Sequence, residues 1–90
     1  MAVYAFESVT VAGTAVSLTA ATFDQAIKAT ISVEVGPVRF RLDGTVPTAP
    51  VGHELRVGDV LILDSNDEIS RARFIRRDGM SATLRVTYEV

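Results

Sequence analysis

The chain has no cysteine and no tryptophan, a single histidine, His53, a single lysine, Lys28, and three prolines in 90 residues. Without cysteine, neither a disulfide nor a thiolate metal site can staple the fold. With one histidine, a paired-imidazole metal site cannot form, and no metal is expected. Without tryptophan there is no indole on which to stack a sugar. No apolar run approaches the roughly 18 residues of a membrane span, so no membrane partner is expected. The N-terminal stretch lacks the basic region of a signal peptide, and Glu7 and Ser8 interrupt its apolar part, so synthesis in the cytoplasm is expected. A basic excess is also missing. The net charge is −2 and the pI about 5.2, the reverse of the balance usual in nucleic-acid binders. No Gly-rich phosphate loop or nucleophile elbow occurs, and neither a cofactor nor catalysis is expected.

What is present in quantity is apolar surface. The apolar fraction is 48% and the mean hydropathy +0.28. Ninety residues make one domain, 1–90, of a size at which a lone core is marginal. Oligomerisation is the remaining common way to stabilise such a scaffold, so a homo-oligomer is expected. Eight of the nine basic residues are arginine. The planar guanidinium suits interface pairing with carboxylates, although a preference for arginine codons would leave the same bias.

The apolar residues recur with period two. Met80, Ala82, Leu84, Val86, Tyr88 and Val90 alternate with Ser81, Thr83, Arg85, Thr87 and Glu89, which puts one set on each face of a strand. Ala29, Ile31, Val33 and Val35 alternate likewise, as do Val38, Phe40 and Leu42 with Arg39 and Arg41. Gly36-Pro37 between these two reads as a hairpin turn. VYAFESVTV and AVSLT around Gly13 read as a second strand pair. DVLIL reads as a strand buried on both faces. EISRARFIR reads as a strand joined to the last one by Arg77-Asp78-Gly79, a strong hairpin signal. The segment 19–29 has no 3.6-residue stripe and predicts a loop or a single helical turn. Seven or eight strands follow, with turn signals about every ten residues. The expected fold is all-β: a small antiparallel β-sandwich or jelly-roll-like barrel.

Several residues invite a chemical reading. His53 has Asp43, Glu54 and Asp59 near it in sequence, but a structural role closing a loop through a hydrogen bond outweighs a catalytic one. DSNDE begins as a calcium loop does, yet Ile69 and Ile75 stand where such a loop needs Gly and Glu. A polar turn explains it better. Arg39, Arg41, Arg71, Arg73, Arg76 and Arg77 concentrate positive charge, and of these Arg39, Arg41, Arg71 and Arg73 are candidate protein-contact residues. Phe40 and Phe74 are interleaved with them, as in a single-strand binder. Within its strand, however, Phe40 points away from Arg39 and Arg41, so nucleic acid is not the expected partner.

The stretch VRFRLDGTVPTAPVGHELRVGD, with ISRARFIR and SATLRVTY after it, resembles a group of small proteins encoded among the structural genes of tailed bacteriophages. The shared pattern is carried by Arg41, Asp43, Gly44, Pro47, Thr48, Gly52, His53, Leu55, Gly58 and Asp59, and the likeness runs over roughly two-thirds of the chain. It implies an accessory virion protein, such as a head decoration (cement) protein or a tail or neck component. It would be partnered by other virion proteins of capsid or tail and located in the virion. A carbohydrate or host-surface binding module is the alternative. On either reading Asp43, Gly44, Pro47, His53, Gly58 and Asp59 are candidates for structuring the loops.

Overall fold

The computed structural model describes residues 3–90; Met1 and Ala2 lie outside the described residues. Eight strands and two short helices follow one another as β1 (Val3–Val11), β2 (Val16–Ser17), α1 (Ala20–Phe23), β3 (Lys28–Glu34), β4 (Val38–Arg41), β5 (His53–Leu55), β6 (Val60–Leu63), α2 (Asn66–Arg71), β7 (Arg73–Arg76) and β8 (Ala82–Glu89). They form two four-stranded antiparallel sheets, ordered β1-β8-β3-β6 and β2-β7-β4-β5. β1 pairs with β8, β2 with β7, β3 with β6 and β4 with β5. The chain is thus folded in half at the β4–β5 connection and rolled, so that each half-strand lies beside its counterpart. This is the strand order of a jelly roll. The all-β sandwich expected from the periodicity is the fold observed.

The alternation in β8 holds. Ala82, Leu84, Val86 and Tyr88 are buried and the residues between them are not. Ala29, Ile31 and Val33 of β3 and Val38 and Phe40 of β4 complete the facing layers. Phe74 of β7, Phe23 of α1 and Ile69 of α2 fill the space between the sheets and close its rims. Among the described residues no charged residue is fully buried, so apolar burial, at roughly 25 cal/mol per Å² removed from water, is the main force on the interior. The single helical turn expected within 19–29 is present as α1.

The connections differ from the expected hairpins. β3 and β4 do not pair: β3 lies between β8 and β6, and β4 between β7 and β5. Val35 takes a positive φ of 79° and is 60% exposed. The chain there leaves one sheet and enters the other, and the alternation stops at Val33. The turn at Asp78-Gly79 likewise carries the chain from β7 to β8 across the sandwich, and β1 and β2 also belong to different sheets. Strands adjacent in sequence face one another across the core because each needs an opposing apolar layer as much as a neighbour to hydrogen-bond. β6 is an edge strand with one buried face; Val60 and Ile62 are 57% and 51% exposed. The segment EISRARFIR is not one strand. Its first half is α2, capped by Ser65, whose hydroxyl accepts from the Glu68 N–H at 3.1 Å. Glu68 in turn accepts from the Asp64 N–H at 3.0 Å. DSNDE is therefore a helix start and not a turn, with the two-way exchange of a capping box shifted by one residue.

Candidate functional site

Among the described residues the β4–β5 connection, residues 42–52, is the one loop longer than ten residues, and its own side chains order it. The Asp43 carboxylate accepts from Arg41 Nε and Nη2 at 3.2 and 2.5 Å and from the Thr45 N–H at 3.1 Å. The Arg41 hydrogen bonds, then the Thr45 N–H, hold this carboxyl below the usual carboxylate range. Gly44 supplies the left-handed φ of 83° that the turn requires. Pro47 is fully buried. Thr48 and Val51 exchange backbone hydrogen bonds at 3.0 and 3.1 Å. From β4, Arg39 reaches across and donates to the carbonyls of Ala49 and Gly52 at 3.2 and 3.3 Å. At Gly52, φ is 144°, and a Cβ would meet the Phe40 carbonyl oxygen at 3.2 Å.

His53 opens β5 directly opposite Phe40. Its ring lies on that of Phe40, with centroids 5.3 Å apart, and Phe40 continues to Phe74 at 6.1 Å. Contrary to expectation, no described residue hydrogen-bonds the imidazole; its contact is a tilted one, at 38°, with the Phe40 ring at the rim of the core. An open depression of about 400 Å³ lies here, lined by Arg41, Leu42, Asp43 and His53. In the following turn Gly58 takes a φ of 92°, and Asp59 accepts from the Arg56 N–H at 2.8 Å.

Of the four candidate contact arginines, three come together. Arg41 faces Arg73 across β4 and β7, and Arg39 faces Ile75 and Glu54, all on the outer side of the second sheet, since Phe40 and Phe74 take the inner side. Arg73 is tied to the carbonyls of Ser70 and Ala72, each at 2.9 Å. Arg71 does not join them. It is on α2 and pairs with Asp67 at 3.1 Å. In its place the fold brings Arg56 and Arg77, which grip Glu54 at 3.3 and 2.8 Å. This face therefore carries Arg39, Arg41, Arg56, Arg73 and Arg77 against Asp43 and Glu54. Arg56 carried no sequence signal and Arg77 stood out only in the basic cluster and the hairpin turn, because the pairing with Glu54 that places both here joins β5 to the residue after β7. The outer side of the first sheet is balanced, with Lys28 beside Glu89 at 3.8 Å and Arg85 beside Glu34 at 3.4 Å.

Comparison with known proteins adds no relative. No family model, curated protein or solved structure matches the chain.

Proposed function

We propose that the protein is a non-catalytic structural component of a tailed-bacteriophage particle. In this reading it is a capsid decoration protein that stabilises the particle, with the outer side of the second sheet docking on an acidic patch of a neighbouring virion protein. The observation that carries this reading is the segregation of charge. A chain of net charge −2 concentrates five arginines against two carboxylates on one face. Such a field steers a partner of opposite sign and fixes its orientation. The β4–β5 loop beside this face is already pinned by Arg39 and Asp43, and it presents Val46 and Val51, each 56% exposed. Little ordering entropy remains to be lost on docking. A single-stranded nucleic acid would need aromatic faces beside the charge, and Phe40 and Phe74 are inside the core. The jelly roll is found in viral capsid and lectin domains alike, so the fold by itself does not choose between them. The residues lining the depression include no exposed aromatic platform for a sugar, which favours a protein partner.

The deciding experiment is quantitative mass spectrometry of purified particles, together with rebinding of the free protein to particles stripped of it. The wild type is expected in fixed stoichiometry. The Arg56→Glu variant, at a side chain 76% exposed, is expected to fold normally by circular dichroism and to rebind at least about tenfold more weakly, because charge reversal places like charges across the contact. Absence from particles, undiminished rebinding of the variant, or selective binding on a glycan array would overturn the reading.

A further inference from the structure

The turn joining β7 to β8 has a chemistry of its own. We infer that Asp78-Gly79 is a modification site, at which the folded chain slowly rearranges aspartate to isoaspartate through a cyclic imide, and that the fold shields the other Asp-Gly pair, Asp43-Gly44, from the same reaction. In the first step the Gly79 amide nitrogen attacks Cγ of the Asp78 carboxylic acid. A C–N bond forms, a C–O bond breaks, and the hydroxyl leaves with the amide proton as one water. In the second step water adds to the ring carbonyl next to the Asp78 Cα, and the bond from that carbon to nitrogen opens. The chain then runs through the side-chain carbonyl, one methylene longer, and the former backbone carbonyl is a free carboxyl group. Nothing is oxidised or reduced, and water is the only co-reactant.

Ring closure needs a following residue with no side chain to crowd the attacking nitrogen, a backbone free to bend, and a carboxyl free to turn. Only Asp43 and Asp78 precede glycine; Asp24, Asp59, Asp64 and Asp67 precede Gln25, Val60, Ser65 and Glu68. Asp78 and Gly79 are both exposed and lie outside any strand or helix. Among the described residues the Gly79 N–H has no hydrogen-bond partner, and the neighbouring Arg77 pairs with Glu54 at 2.8 Å and not with Asp78. Nothing lies within 4 Å of the place a Gly79 Cβ would occupy, so no neighbour braces the turn there. Asp43 is in the opposite condition. Arg41 Nε and Nη2 hold its carboxylate at 3.2 and 2.5 Å, and the Thr45 N–H at 3.1 Å. These bonds also keep it ionised, and a carboxylate is a poorer electrophile than the acid. To react, Asp43 must gain a proton and give up charge-assisted hydrogen bonds, which are the strong ones. The methylene inserted at Asp78 falls between two anchors. The Arg77 N–H donates to the Pro37 carbonyl at 3.0 Å, and Met80 packs on Gly36, where a Cβ would meet its carbonyl oxygen at 3.3 Å. The rearrangement therefore loosens the β7–β8 turn against the β3–β4 turn and leaves the sheets in place.

The test is peptide mapping of the full chain after prolonged incubation in mildly acidic buffer at physiological temperature. Isoaspartate is located by fragmentation that separates the two backbones, and is counted independently with an isoaspartyl methyltransferase. The folded wild type is expected to convert Asp78 at least about tenfold faster than Asp43, because charge-assisted hydrogen bonds must break before Asp43 can react. In urea, where those bonds are gone, the two sites should convert at similar rates. Gly79→Val should slow conversion of Asp78 at least about tenfold, since a β-branched side chain crowds the attacking nitrogen; Gly79 is outside the left-handed region and has open space around it, so this variant should fold. Arg41→Gln should release Asp43 and raise its rate towards that of Asp78. Equal rates at the two sites in the folded chain, an Asp78 that converts in urea but not when folded, or undiminished conversion in Gly79→Val would overturn the inference. Should Arg41→Gln fail to fold, the comparison of folded and urea-unfolded wild type decides. The inference does not rest on the virion reading, because it is measured on the free protein.

Discussion

Replacing Tyr88 by phenylalanine removes one oxygen from the best-packed strand and leaves the ring in place. That ring is fully buried and lies 6.2 Å from Phe23, so the apolar contribution is retained. What is lost is the hydrogen bond from the hydroxyl to Glu7 Oε2 at 2.5 Å. A bond to a charged acceptor contributes about 1.5–3 kcal/mol. Glu7 keeps the Thr19 N–H at 3.2 Å and the Thr19 hydroxyl at 2.6 Å, so its carboxylate is not orphaned. The expected loss is therefore near the lower end, about 1.5 kcal/mol, or a fall in melting temperature on the order of 5–10 °C for a domain of this size. The same bond gives a pH signature. Burial, and then the Glu7 carboxylate, raise the Tyr88 hydroxyl far above its ordinary value near 10. Below pH ~10 both the folded and the unfolded chain hold this proton, and the stabilisation is fully present. Above it the unfolded chain releases the proton while the folded chain keeps it, so stability falls with rising pH by about 1.4 kcal/mol per pH unit. Urea melts of wild type and Tyr88→Phe between pH 7 and 11 measure both effects. A variant as stable as wild type at pH 7, or one that keeps the full alkaline slope, would refute the assignment.

Two further substitutions test the layers and the loop. Leu84→Asp places an unpaired carboxylate at a fully buried position and should cost more than ~5 kcal/mol, enough to unfold a domain at the low end of ordinary stability; Thr83→Asp, on the outer face, should cost under about 1 kcal/mol, and equal melting temperatures would reverse the face assignment. Gly52→Ala meets the Phe40 carbonyl oxygen, Pro47 and Arg39 at 3.2–3.3 Å in a left-handed conformation, so a loss of roughly 1–3 kcal/mol with faster exchange across 42–52 is expected; a variant as stable as wild type would remove the strain argument.

The sequence alone determined which face of β3, β4 and β8 is buried. Leu84, Val86 and Tyr88, Ile31 and Val33, and Val38 and Phe40 point inward because period-two alternation has one solution once a core exists. It also marked the residues that shape the β4–β5 loop, since Asp43-Gly44 and Pro47 act over two or three residues. The six-residue helix α2 was missed because it is too short for a 3.6-residue period to emerge, although Ser65 and Glu68 carried its capping signature. The exposure of β6 was missed because an apolar run reads alike at the centre and the edge of a sheet. Only the tertiary structure decided the pairing. Gly36-Pro37 and Asp78-Gly79 announce that the chain turns, but whether the next strand hydrogen-bonds beside the last one or crosses to the facing layer depends on contacts up to 86 residues apart, as between Val3 and Glu89. The same long reach built the basic face: Arg39 grips carbonyls ten and thirteen residues on, and Arg77 meets Glu54 from another strand. Local chemistry sets the faces and the turns, whereas the rolled topology is chosen by the cooperative burial of both layers at once, which no window of neighbouring residues contains.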